Sequence, residues 1–476
     1  MCELSEIIIL ILVCRDSAMF EFDLETIEDL RKLSASLSLD MPMQEDVSIL
    51  GQAVKIGPLT APNRLAVNPM EGTDGDSAGN PYELTLRRYK RLAAGGSGIL
   101  WAEAIAVVPE GRANPRQLWL HDESKDTFAN MLTQARKAAR ESMGSQHRPI
   151  IVAQLTHSGR YSRPEGKANP IIPQRDPYRD AMIQQQSPIK NTKQAIPDNW
   201  PIATDGYLDG LVEAYVKAAK LAFEVGFDAV DIKACHGYLI SELLACYNRQ
   251  GRYGGSFENR TRLLLTIIDA IKQTLGKDRI ITTRLGIYDA IPYPYGWAVD
   301  KNDYTKPDLT EPKKLFALLS QRNVPMINVT IANPYYNPHY SRPYDKPVIG
   351  GYESPEHPLR GVERMIRLTG EMQRAFPQMT LVGSGYSWLQ HLMPYVGAGV
   401  LKMGMAGIIG AGRLALAYPD FAKDILIKGK LDPSKVCIAC SACTQIMRDG
   451  GTTGCVVRDN KVYGPIYKQG RLASSK

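Results

Sequence analysis

No apolar stretch in the 476 residues reaches the ~18 that a membrane-spanning helix requires. No membrane partner is therefore expected. No Lys/Arg-rich run is present either. The balance of 57 Lys+Arg against 50 Asp+Glu leaves a thin +7, which gives nucleic-acid binding little footing. An internal repeat of fixed period is also missing. With 44% hydrophobic and 22% charged residues, the composition excludes a disordered, collagenous or coiled-coil protein. A chain this long buries roughly 75% of the surface its unfolded form exposes, so it folds without disulfide staples.

A targeting signal is lacking as well. The run Ile7–Cys14 (IIILILVC) follows Glu3 and Glu6, where a signal peptide would carry basic residues, and no small-x-small cleavage site comes after it. Residues 1–18 read as a disordered extension or as the result of a misplaced start codon, with Met19 a plausible true start. A cytoplasmic protein is expected. Of only eight cysteines, Cys2, Cys14, Cys235 and Cys246 lie alone. Cys437, Cys440, Cys443 and Cys455 crowd into one segment, which reads as a metal or cluster site in a reducing compartment.

What the sequence does hold is a regular alternation. Eight short apolar runs are separated by helix-like segments. The runs are Arg64–Met70, Gly98–Ala104, Pro149–Leu155, Asp228–Ala234, Ile280–Gly286, Pro325–Ile331, Met379–Gly385 and Val400–Ala406. Amphipathic stretches such as LDGLVEAYVKAAKLAFEVG end at Gly226 or Gly276, which serve as helix stops. Eight β/α units predict an α/β fold of the TIM (β/α)8 type, and a doubly wound sheet is the runner-up. Ahead of the first strand, residues 47–63 read as a hairpin that plugs the barrel bottom. Long loops at Tyr161–Asp205, Tyr288–Pro312 and Ala332–Gly361 would fall at the C-terminal face, where such barrels place their active sites. Tyr335, Tyr336 and Tyr340 either wall an apolar pocket there or simply pack the loop.

Polar residues at the strand ends carry the chemistry. Gln154 can donate and accept at once, which suits the pyrimidine edge of a flavin, and Asn68 could do the same. Arg284 is a fixed cation that would stabilise charge near N1 and O2 of a reduced flavin; otherwise it pairs with a strand carboxylate. Gly383-Ser384-Gly385 and Gly412-Arg413 follow the last two strands. There, backbone amides can cradle a phosphate, and Arg413 would add a charge-assisted contact. The stretch GMAGIIGAG lacks the βαβ context of a dinucleotide fingerprint.

The segment DIKACHGYLISELLACYNRQGRYGGSFENRTR, with NPM (68–70), QLTHSGR (154–160), Arg284, GSG (383–385) and GR (412–413), resembles the old yellow enzyme family of FMN-dependent barrels. The resemblance spans roughly residues 47–425. It implies FMN held through Pro69, Met70, Gln154, Arg284, Gly383, Ser384, Gly385, Gly412 and Arg413. It places Lys233 and His236 as the substrate-binding pair and Tyr238 as the proton donor. Lys233 departs from the family's usual His or Tyr. As a point cation it would favour a carbonyl-bearing or anionic substrate and repel an amine, unless it turns away to pair with a loop carboxylate.

The tail CIACSACTQIMRDGGTTGC is a C-x2-C-x2-C-x11-C pattern, which favours a [4Fe–4S] cluster over zinc. It resembles the iron–sulfur tails of 2,4-dienoyl-CoA reductase and trimethylamine dehydrogenase. Those relatives continue into a nucleotide-binding region that is not seen after Cys455 here. NPMEGTD offers no cysteine for a covalent flavin link, so non-covalent FMN is expected. The organisation expected is an extension (1–46), an FMN-binding barrel (47–425) and a cluster-binding tail (426–476). The function expected is reduction of an activated C=C bond in a small unsaturated carbonyl compound, with electrons from NAD(P)H or through the cluster. The alternative is an amine dehydrogenase passing electrons through the cluster to a protein acceptor. Homo-oligomer formation is left open.

Overall fold

The computed structural model describes residues 20–180 and 196–475. Cys2, Ile7–Cys14 and Met19 lie outside the described residues. Two short antiparallel strands, β1 (Val54–Ile56) and β2 (Leu59–Ala61), precede a closed barrel of eight parallel strands. These are β3 (Leu65–Val67), β4 (Ile99–Ala106), β5 (Ile150–Thr156), β6 (Ala229–Ile232), β7 (Ile280–Gly286), β8 (Met326–Thr330), β9 (Thr380–Gly383) and β10 (Ile408–Ala411). β10 pairs with β3 and closes the barrel, with Gly410 opposite Ala66. The fold is a TIM barrel, as the strand count predicts.

Side chains alternate sides along a strand, so every second residue of each strand enters the barrel. The first inward positions are apolar: Ala66, Ile99, Ile150, Ala229, Ile280, Met326, Val382 and Ile408 form one buried cluster with Trp101 and Val152. Ile56 and Ala61 of the β1–β2 hairpin join that cluster, so the hairpin does plug the bottom. Further along, the same alternation delivers polar residues: Asn68, Gln154, Asp231, Arg284, Asn328 and Ser384, all buried. The barrel is thus dry at its floor and polar toward its mouth.

The helices pack outside and their ends follow local chemistry. Thr204 Oγ1 accepts from the Tyr207 amide at the start of the helix Asp205–Val225, and Gly226 ends it at φ +107°. Ser256 caps Phe257–Leu275 in the same way. The N-terminal helix Ile27–Ser36 carries a Thr26/Asp29 capping box and buries Leu30 in the main core. Phe22 meets Trp388 edge-on.

One expected strand is corrected. Val400–Ala406 is not the eighth strand; Met393–Lys402 is a helix, and the strand is Ile408–Ala411. Val396 and Val400 lie one helical turn apart and are buried, so the apolar run belongs to a 3.6-residue period. Gly404 then turns at φ +61°, and Gly407 passes so close to β9 that a Cβ would lie 2.8 Å from Thr380. The other seven strands fall inside or across their predicted runs.

Ile56 is 1% exposed at the barrel floor. An Ile56→Ala change removes buried methyl groups and leaves a cavity there. Chemical denaturation should show a loss of about 2–5 kcal/mol.

Candidate active site

The polar layer of the barrel is built around Asp231. Its carboxylate accepts from Trp101 Nε1 and Gln154 Nε2, both at 2.7 Å, and from the Arg284 amide. Burial raises its pKa and these donors oppose the rise. One amide hydrogen of Gln154 is spent here, which sets the orientation of the side chain. Arg284 does not pair with a strand carboxylate through its side chain. Its Nη1 donates to Asn328 Oδ1 at 2.7 Å. Asn328 Nδ2 donates to Asn68 Oδ1 at 2.9 Å, and Asn68 Nδ2 to Ser384 Oγ at 3.2 Å. The network so formed links strands β3, β7, β8 and β9.

Several buried donors in this region have no partner among the described residues: Arg284 Nε, Thr156 Oγ1 and Arg413 Nη1. Such groups are costly unless a ligand meets them. The backbone beside them packs closely on its neighbours. A Cβ on Gly410 would lie 2.6 Å from both Asn68 Oδ1 and the Gly383 carbonyl, and one on Gly412 3.2 Å from Met70 Sδ. Gly385 takes φ +93°. Gly383 thus lies against Gly410, Gly412 against Met70 and Ser384 against Asn68, with Pro69, Gly385 and Arg413 next to them along the chain. Unmet donors of this kind fit an acceptor-rich, anionic ligand.

Tyr238 stands at the other side, at the N-terminus of the helix Leu239–Leu244. Its hydroxyl donates to Glu71 Oε1 at 2.6 Å and lies 3.4 Å from Tyr335 Oη. Lys233 Nζ is 3.3 Å from the same Glu71 oxygen and 3.5 Å from the centre of the Tyr238 ring. Lys233 thus takes the second of its two readings, paired with a loop carboxylate. Burial and the Glu71 charge push the Tyr238 phenol well above its ordinary pKa, so it keeps its proton. His236 Nε2 lies 3.3 Å from Thr330 Oγ1. Burial, with Arg284 and Lys233 nearby, pushes its pKa down and leaves the ring neutral.

Glu71 is the residue that sequence reasoning missed. The available signal in NPMEGTD is an acidic residue straight after a barrel strand. The loop carrying Glu71 is locked from below. The Gly72 amide donates to Glu103 Oε2 at 2.7 Å, and Arg88 pairs with Glu103 and with Asp74. A Cβ on Gly72 would sit 1.7 Å from Arg88 Nη1, so only glycine fits. Burial raises the Glu103 carboxyl to about 7 against the pull of Arg88.

Motif residues also prove to be supports. Arg160, of QLTHSGR, pairs with Glu242 in the Tyr238 helix. Arg260, of ENRTR, donates to the Leu244 carbonyl at 2.6 Å and pairs with Glu311. Of the three loop tyrosines, only Tyr335 faces Tyr238. Tyr336 packs on Tyr178, and Tyr340 on Tyr288 and Arg364.

The four clustered cysteines line one cavity together with Arg413. Ala439 and Ser441 take φ +52° and +58° between them, folding the segment back on itself. Arg458 joins the two halves: its Nε donates to the Val436 carbonyl, and its amide to Cys455 Sγ at 3.3 Å. Burial raises the Cys437 thiol to about 12, while Arg413 pulls it down. Among the described residues, no group of His, Cys, Asp or Glu is arranged to hold a single metal ion. Four thiols around one cavity beside a guanidinium suit an anionic cluster with a thiolate at each corner. Cys235 and Cys246 are buried and apart from this site.

Residues 50–298 match the family model described as NADH:flavin oxidoreductase / NADH oxidase. An NADPH dehydrogenase of Clostridium acetobutylicum is 30% identical over 241 residues, which cover 50% of this chain and 64% of that protein. One from Bacillus licheniformis is 32% identical over 221 residues, covering 45% and 57%. The matched part thus spans about three fifths of these relatives. Among solved structures, 2-naphthoyl-CoA reductase bound to 2-naphthoyl-CoA aligns with a TM-score of 0.66 at 18% identity, covering 89% of this chain and 58% of that one. Histamine dehydrogenase from Rhizobium sp. 4-9 aligns at 0.62 with 19% identity, covering 86% and 52%. At these identities the structures speak to the fold.

The Tyr238–Glu71–Lys233 contact predicts its own titration. A Glu71→Gln change removes the anion that opposes tyrosinate and leaves the Lys233 cation over the ring. The Tyr238 pKa should fall, seen as a tyrosinate signal at lower pH in an ultraviolet difference titration against the parent. An unchanged titration would break the assignment.

Proposed function

The chain belongs to the NADH:flavin oxidoreductase / NADH oxidase family, and on that premise we propose that it is an FMN-dependent oxidoreductase that reduces an activated C=C bond with electrons from NAD(P)H. The observation that carries this reading is the buried hydroxyl of Tyr238, which donates to Glu71 at 2.6 Å, together with the unmet donors of Arg284, Thr156 and Arg413. FMN bound among those donors would supply hydride transfer between the nicotinamide and the alkene. Gln154 and Arg284 would hold its pyrimidine edge, Pro69 and Met70 its ring. Gly383, Ser384, Gly385, Gly412 and Arg413 would hold its phosphate.

The protein's own part is proton supply and orientation. Tyr238 gives its proton to the α-carbon. Glu71 and Lys233 hold the phenol in place before the substrate arrives. His236, neutral and beside Thr330, is left to hold the activating carbonyl. Cys437, Cys440, Cys443 and Cys455 would ligate a [4Fe–4S] cluster, which supplies one-electron exchange with an electron-transfer protein. In this reading residues 47–425 serve the flavin and 426–476 the cluster. Amine oxidation is opposed by the arginines that line the cavity beside Tyr335.

The test begins with the absorbance spectrum of the purified protein, in which FMN and cluster bands are expected. Anaerobic NADPH should then bleach the flavin, and α,β-unsaturated ketones should restore it. Absence of FMN, or no reoxidation by any alkene, would overturn the reading. Tyr238→Phe should slow the alkene half-reaction by about 10²–10⁴-fold, far more than the NADPH half-reaction, in stopped-flow traces.

A further inference from the structure

A cavity of about 360 Å³ opens beside Tyr238. Its inner end is Glu71 and Tyr335, both in contact with Tyr238. Tyr161 lies against Tyr335 with ring centres 4.2 Å apart, and the two make an aromatic wall. The remaining wall carries Arg116, Arg163 and Arg448.

The lining carries three guanidinium groups against one carboxylate. That carboxylate, Glu71, is already shared by Lys233 and the Tyr238 hydroxyl. Arg116 donates to the neutral carbonyl of Gly450 at 2.6 Å. Among the described residues, neither Arg116 nor Arg448 pairs with a carboxylate. Burial pulls Arg163 and Arg448 below the usual guanidinium value. Arg116 and Arg448 face the cavity without a carboxylate partner among the described residues, and an anion entering it stabilises such cations.

Three elements bring the arginines together. Arg116 comes from the loop after β4, Arg163 from the loop after β5, and Arg448 from the end of the tail helix Ala442–Arg448. The tail is clamped over the cavity: Thr453 N donates to the Gly72 carbonyl at 2.6 Å, and Thr73 Oγ1 to the Gly451 carbonyl at 2.8 Å. The cluster-bearing tail is therefore also a wall of this cavity.

We propose that this cavity selects substrates with an anionic group, a carboxylate or a phosphate ester, set apart from the reacting double bond by a planar apolar body, with Arg116, Arg163 and Arg448 as the ligands of that group. The proposal rests on the alkene-reductase reading for which bond reacts, but not for where the anion binds.

The test uses the FMN-loaded, cluster-replete protein and three probes: benzylideneacetone, its para-carboxylate, and its para-phosphate ester. The kcat/KM of one or both charged probes should exceed that of the neutral one by about tenfold or more, and the ratio should fall as salt is raised. Arg448→Gln and Arg163→Gln should each cut the ratio severalfold, and Arg448→Lys should restore part of it. FMN content of each variant reports its folding. The two charged probes separate carboxylate from phosphate recognition. Binding of the saturated, unreactive carboxylate and phosphate analogues is measured by calorimetry in parallel. If the neutral probe is reduced as well as the charged ones, the anion site is overturned while the reductase reading stands. If no probe is reduced but the saturated anions bind in an Arg448-dependent way, the anion site stands and the reductase reading falls.

Discussion

The barrel interior depends on one buried carboxylate. Asp231 lies at the centre of the eight strands with no solvent to share its charge. An isolated carboxylate there would cost many kcal/mol, so the surrounding donors are obligatory. They come from three different strands: Trp101 of β4, Gln154 of β5 and the backbone of Arg284 in β7. Satisfying one charge thereby orients two side chains and engages one backbone amide. It separates the dry floor, which Trp101 completes, from the polar mouth that begins at Gln154 and Arg284.

A second constraint works from the outside. The loop after β3 is the meeting point of barrel, cavity and cysteine tail. Glu103 and Arg88 hold it from beneath, and Gly72 is the only residue that fits above Arg88. Arg87 and Arg91 reach across to Asp459 in the tail, and the Gly72 carbonyl accepts from Thr453. The result is a rigid platform for Glu71. The cysteine tail gathers four thiols around one cavity. It also borders the space next to Tyr238.

Some of this was legible in the residues themselves. The seven strands placed from the sequence are short apolar runs whose ends turn polar, and a barrel forces that pattern because its floor and mouth differ in solvent. The eighth was lost because VLKMGMA is as apolar as a strand, and only its helical contacts with Val396 reveal its period. Cysteine spacing marked the tail because ligands to one group must be close along the chain or be brought close by turns. Glu71 carried no such mark. A single acidic residue in a loop is ordinary until its partners are known, and its partners are 162 and 167 positions away.

Sequence alone determined the fold class, the family, the polar strand ends and the cysteine set, because each rests on local spacing that the chain carries wherever it goes. Tertiary structure alone decided which charges are free to act. Lys233 looked like an open cation for a substrate, yet Glu71 neutralises it. Arg116, Arg163 and Arg448 carry no mark in the sequence, yet they line one cavity together with a single carboxylate, Glu71. Charge balance depends on distance in space, and residues so far apart along the chain become neighbours only when the barrel closes and the tail docks on it.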